Sequence, residues 1–132
     1  MNIIVSRKVS HKFMLQVVIG FAAGIVIAAI DNIAFNGEVS PVVIVVLLFA
    51  VSFTSGVLWG IRGWLMPAIA WICVPSVHLD KHIIGLPDTI HPNTYGSILM
   101  LAMFTLVIAL AGISIAALVR KLVASAEDTG SV

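Results

Sequence analysis

Apolar and polar positions in this chain do not alternate residue by residue; they separate into long blocks. Four apolar runs, at about 13–30, 41–61, 64–79 and 97–119, are divided by short polar stretches. A soluble amphipathic helix would show an apolar residue every three or four positions, and a half-buried strand would show one every second position. Uninterrupted runs instead predict helices surrounded by hydrocarbon, because a bilayer core of about 30 Å takes roughly twenty residues rising 1.5 Å each. The second run is rich in valine and isoleucine, which favour strand in water. Its length without a turn signal decides for helix. The pattern therefore predicts an all-α fold, a four-helix transmembrane bundle with both termini on the cytoplasmic side.

The first run follows Arg7, Lys8, His11 and Lys12. Basic residues before an apolar run also describe a signal peptide, but this run is longer than a usual signal core and no small-x-small site follows it, which favours an uncleaved helix. Asp31 is read as its end, Asn36-Gly37 as the turn that follows, and Pro41 as the first residue of the second helix. Gly60-Ile61-Arg62-Gly63 reads as a tight connection, and Trp59 and Trp64 beside it as an interfacial aromatic belt. The third helix is predicted to be short and kinked at Pro75, which cannot donate to the carbonyl of Trp71; a re-entrant segment is the alternative. Residues 80–96 form the longest loop, with Gly85, Pro87, Asp88, Pro92, Asn93, Tyr95 and Gly96 constraining or capping it. The organisation is then a cytoplasmic segment 1–12, a membrane domain 13–123 and a disordered cytoplasmic tail 124–132.

Composition strengthens this picture. Of 132 residues, 61% are apolar and only 10% charged, too few charges to cover a water-facing surface. The formal net charge of +1 offers no polybasic face for nucleic acid. The single cysteine, Cys73, cannot form an internal disulfide. Charge placement is more informative than the sum. Arg7, Lys8, Lys12, Arg62, Arg120 and Lys121 fall on one side of a four-span chain and only Lys81 on the other, so the positive-inside rule puts the six in the cytoplasm. A multi-pass protein of a bacterial cytoplasmic (inner) membrane is the expected localisation. Asp31, Glu38, Asp80 and Asp88 then face outward.

Small residues recur at four-residue spacing: Gly20, Gly24 and Ala28 in the first helix, Ser52, Gly56 and Gly60 in the second, Gly112 and Ala116 in the fourth. Such stripes let helices approach closely in lipid. They serve packing within one chain or an interface with a second copy or another membrane protein; beyond these and the lipid bilayer itself no partner is implied.

Candidate chemistry is sparse. No ionisable residue lies near the middle of an apolar run, where a proton relay or ion path would place one. Ser52, Ser55 and Thr105 could line a polar path in an oligomeric permeation unit, or bond back to their own helices. His78 and His82, four apart, share a face if the third helix continues one turn past Leu79. With Asp88 they are the right ligand types for an outer-face metal site; interfacial or loop-fixing histidines are the alternative reading. No two histidines face each other within spans, so no haem or other cofactor is expected, and no catalytic constellation is present.

The loop from Gly85 to Ser97, with Trp64 and Trp71, resembles small uncharacterised bacterial four-helix membrane proteins, a likeness that implies the architecture and no activity. The glutamate that small multidrug exporters place in their first helix has no counterpart here, nor has the Gly-Asn-rich signature of fluoride channels. The resulting expectation is a non-enzymatic accessory or scaffold protein, with permeation and an outer-face metal site as the alternatives.

Overall fold

The computed structural model describes residues 2–33, 40–87 and 94–129, and the side chains of 11–33, 40–87 and 94–128. The Asn36-Gly37 turn, Glu38, Asp88, His91, Pro92 and Asn93 lie outside the described residues. The described chain is all-α: α1 spans Asn2–Ile33, α2 Pro41–Trp59, a short 3-10 turn Gly60–Gly63, α3 Leu65–Ile84 and α4 Tyr95–Thr129. Three stretches, His11–Ile33, Pro41–Gly63 and Tyr95–Asp128, are long and apolar enough to cross a membrane.

α2 begins with Pro41 at a position where a missing N–H leaves nothing unsatisfied. It ends at Gly60, whose φ of 63° is open to a residue without Cβ. The turn that follows is held from inside. Ser55 Oγ donates to the Gly63 carbonyl at 2.7 Å, and a Cβ on Gly63 would sit 2.6 Å from Ser55 Oγ and 2.8 Å from the Ser55 carbonyl. Gly63→Ala should therefore lower stability in micelles by about 2 kcal/mol, within the range for overpacking. Ser55→Ala, which only deprives one carbonyl of its donor, should cost about 1 kcal/mol. Equal losses would show that the close approach is not what constrains the turn.

α3 is a helix of 20 residues with Pro75 buried inside it. It runs five residues past Leu79, the end suggested by hydropathy, because its polar last turns find partners on neighbouring helices. Its stop is set by Gly85 at φ 79°. The Gly85 N–H donates to the His82 carbonyl and the Leu86 N–H to the Lys81 carbonyl, at 3.3 and 2.9 Å, a Schellman closure that satisfies the last carbonyls. α4 also outruns expectation: residues 124–129, read from sequence as tail, continue the helix to Thr129. Alanine and glutamate there are good helix formers, and adding residues to an existing helix avoids the cost of nucleation.

The helices run up and down. At one end Gln16 of α1 donates to the Arg62 carbonyl at 3.4 Å, and Arg120 of α4 donates to the Leu58 carbonyl at 3.1 Å. At the other end lie the α1–α3 contact between Asp31 and His78 and the α3–α4 contact between His82 and Tyr95. The main pairings are α2 with α4 and α1 with α3, and α3 also packs on α4 and α2. Ile27, Ile44, Leu48, Ala70, Val74 and Ala109 form the buried apolar centre. Many other large apolar side chains, among them Phe21, Val46, Met100 and Phe104, point outward, as lipid-facing residues do when the solvent is itself apolar.

Close approach depends on the small residues. A Cβ on Gly20 would lie 2.6 Å from the Met66 carbonyl, and one on Gly24 2.5 Å from Cys73 Sγ. Across α2 and α4, a Cβ on Gly56 would meet Ala116 Cβ at 2.5 Å, and one on Gly112 would meet Ser52 Cβ at 2.9 Å. Ala28 is buried as well. These stripes are thus occupied by partners within the chain. Gly60 differs, since its role is the positive φ of the turn.

Candidate functional site

A contact between two ionisable side chains lies buried inside the bundle. His78 Nε2 donates to Asp31 Oδ2 at 2.8 Å. Asp31 is 1% exposed and His78 4%. Sequence reading placed Asp31 at the end of the first helix, on the outer side of the membrane with the other acids, and named no partner for it. In the structure α1 continues to Ile33, and the carboxylate turns inward against α3. By helical rise Asp31 lies about 22 Å from Gln16 along α1, and His78 about 21 Å from Trp64 along α3. The pair therefore sits well away from the end that carries the 3-10 turn.

Why these two meet follows from topology. α1 and α3 run the same way and pack along their length, so residues near their far ends share a level. Asp31 follows Ile27 and Ala28 on the buried side of α1 and His78 follows Val74 and Pro75 on that of α3. Each polar group then continues an apolar stripe, and burial without a partner would be costly. Their hydrogen bond removes that cost and fixes the imidazole by the nitrogen it engages. A second link runs beside it. Lys81 Nζ donates to Asn32 Oδ1 at 3.1 Å, and Asn32 Nδ2 donates to the Ala28 carbonyl at 2.8 Å. His82 stands edge-on to Tyr95, ring centres 4.3 Å apart, joining α3 to the start of α4.

Of the metal candidates, His78 and His82 do share α3, which continues past Leu79 as that reading required. His78 is directed to Asp31 and His82 to Tyr95; Asp88 lies outside the described residues. No group of three metal-ligating side chains occurs among the described residues. The candidate path residues are also occupied. Ser52 Oγ donates to the Leu48 carbonyl at 2.7 Å and Ser55 Oγ to Gly63. Thr105 Oγ1 donates to the Leu101 carbonyl at 2.7 Å. Thr105 also accepts at 3.1 Å from Trp71 Nε1, which donates to the Ala102 carbonyl at 2.9 Å. The hydroxyls therefore satisfy backbone carbonyls, and the Trp71 indole links α3 to α4. Cys73 bonds its own helix, Sγ to the Ile69 carbonyl at 3.4 Å.

Sequence reasoning missed the Asp31–His78 contact. The two are 47 residues apart, and nothing local connects them. The available signal was topological: in a four-span chain the ends of the first and third helices emerge on the same side. Comparison with protein families, with curated proteins and with solved structures yields no match.

Proposed function

We propose that the chain is a non-enzymatic accessory or scaffold protein of a bacterial cytoplasmic membrane, crossing it four times with both ends inside. The observation that carries this reading is the Asp31–His78 pair, an ionisable couple buried between two helices. Neither residue is open to solvent, as a proton relay or catalytic base must be to exchange protons with a substrate. Instead it ties α1 to α3. α3, which is not among the three stretches long and apolar enough to cross a membrane, packs against the other three helices, with His78 buried and Lys81 and His82 half-buried in its last turns. Three of the cations chosen by the positive-inside rule, Lys12, Arg62 and Arg120, line one recess at the end of the bundle that carries the 3-10 turn, which supports this orientation.

Two measurements test it. In a Cys73→Ala background, Thr94→Cys should react with a membrane-impermeant maleimide in intact cells, and Ser125→Cys only after permeabilisation. The reverse pattern would invert the orientation, and labelling of both in intact cells would remove the fourth span. In proteoliposomes, the purified protein should leave proton, sodium and potassium gradients undisturbed. A flux abolished by Asp31→Asn would replace the scaffold reading with proton-linked transport.

A further inference from the structure

We propose that the cytoplasmic end of the bundle holds one anionic phospholipid, its phosphate among Lys12, Arg62 and Arg120 and an acyl chain along α3 and α4. The inference rests on the four-span orientation above.

Two cavities carry it. The first, of about 500 Å³, opens beneath the N-terminal end of α3, between α1 and α4. Lys12, Arg62 and Arg120 line it together with Gln16, Trp59 and Trp64, and its lining includes no acidic side chain. Three like charges around one space repel one another unless an anion joins them. Arg120 is held there by its bond to the Leu58 carbonyl, which uses one of five guanidinium N–H donors. Gln16, only 7% exposed, adds a polar amide fixed by its bond to the Arg62 carbonyl. Cations presenting several donors suit a phosphate oxygen cluster, and basic pockets on the cytoplasmic side of membrane helices select anionic headgroups.

The second cavity decides between a lipid and a soluble phosphoryl compound. It is an apolar groove of about 220 Å³ between α3 and α4, lined by Trp64, Pro67, Trp71, Leu106, Leu110 and Ile113 among others. Trp64 belongs to both cavities. A charged recess at the membrane surface thus adjoins an apolar channel directed into the bilayer, an arrangement that a headgroup with its chain fills and a free phosphate does not. Lys12, Arg62 and Arg120 are themselves exposed, so their charges are available to a ligand.

All three tryptophans of the chain border one cavity or the other, so intrinsic fluorescence reports occupancy. Full-length protein is reconstituted in phosphatidylcholine vesicles containing a minor fraction of brominated phosphatidylglycerol or brominated phosphatidylcholine. Brominated phosphatidylglycerol should quench with about tenfold higher apparent affinity. Lys12→Gln with Arg62→Gln, which leaves the Gln16 and Arg120 backbone contacts in place, should bring the two lipids within about twofold. Ala68→Leu, filling the groove, should weaken quenching by both lipids and keep the anionic preference. Equal quenching of the native protein, or a preference unchanged in the Lys12/Arg62 variant, overturns the site. Displacement of the brominated lipid by an excess of glycerol phosphate would assign the recess to a soluble anion and overturn the lipid. Absence of quenching by either lipid would instead sink the membrane reading beneath it.

Discussion

Asp31→Ala is expected to destabilise the protein by about 3 kcal/mol, and His78→Ala by a similar amount, because each leaves an ionisable partner buried without compensation. The magnitude discriminates between two accounts. An ordinary hydrogen bond between membrane helices contributes about 0.6 kcal/mol on average, since the unfolded chain in lipid also finds partners. A loss above about 2 kcal/mol therefore identifies the cost of an orphaned buried group and not of the bond alone. The double variant Asp31→Val with His78→Leu replaces the couple by apolar side chains of comparable size. It should recover most of the loss, because both polar groups vanish together and the apolar stripes of Ile27–Ala28 and Val74 then continue unbroken. Denaturation in micelles, read as a double-mutant cycle, measures the coupling directly. Additive single losses below about 1 kcal/mol would show that the contact does not tie α1 to α3.

That pair also marks where sequence reading stopped. The three strongly apolar helices were legible because length alone separates a membrane helix from a valine-rich strand. The 3-10 turn was legible because two glycines and an arginine between tryptophans leave few alternatives. The extent of α3 was not, since hydropathy falls at His78, Asp80, Lys81 and His82, and only neighbouring helices show that these positions stay helical. For Lys81 the partner is Asn32, 49 residues away; for His82 it is Tyr95. A single-residue hydropathy profile contains no term for a partner on another helix. The absence of ionisable groups from the middle of the apolar runs was legible, yet the inference that the bundle would bury none did not follow. Asp31 and His78 lie near helix ends by sequence but are enclosed by protein. The small-residue stripes could be read, whereas what they touch could not, because spacing alone does not distinguish an intrachain neighbour from a second copy. Their neighbours in the fold are Met66, Ala70 and Cys73 for α1, and Ala116 and Ser52 between α2 and α4.

Gly20→Ala and Gly24→Ala are each expected to cost about 2–3 kcal/mol, the upper part of the range for overpacking, but they should respond differently to a second substitution. At Gly20 the nearest atom to a new Cβ is the Met66 carbonyl oxygen at 2.6 Å, followed by Met66 Cα at 3.1 Å. Backbone cannot rotate away, so α1 and α3 must separate. At Gly24 the nearest atom is Cys73 Sγ at 2.5 Å, with Cys73 Cβ at 2.9 Å and Ala70 Cα at 3.0 Å behind it. Cys73→Ala removes the first of these and should return about 1 kcal/mol to Gly24→Ala, while leaving Gly20→Ala unrelieved. Separation of the two helices also stretches the Asp31–His78 bond beyond them, so the coupling energy of that pair should shrink in the Gly20→Ala background. Gly96→Ala is the control: its Cβ would meet nothing closer than Thr94 Oγ1 at 4.0 Å, and in an exposed first turn alanine should be neutral or stabilising by up to about 1 kcal/mol. If all three alanines behave alike, helix propensity and not the α1–α3 approach governs these positions. If Gly20→Ala alone weakens the distant pair, the glycine contacts and the buried Asp31–His78 bond form one clasp along the same helix interface.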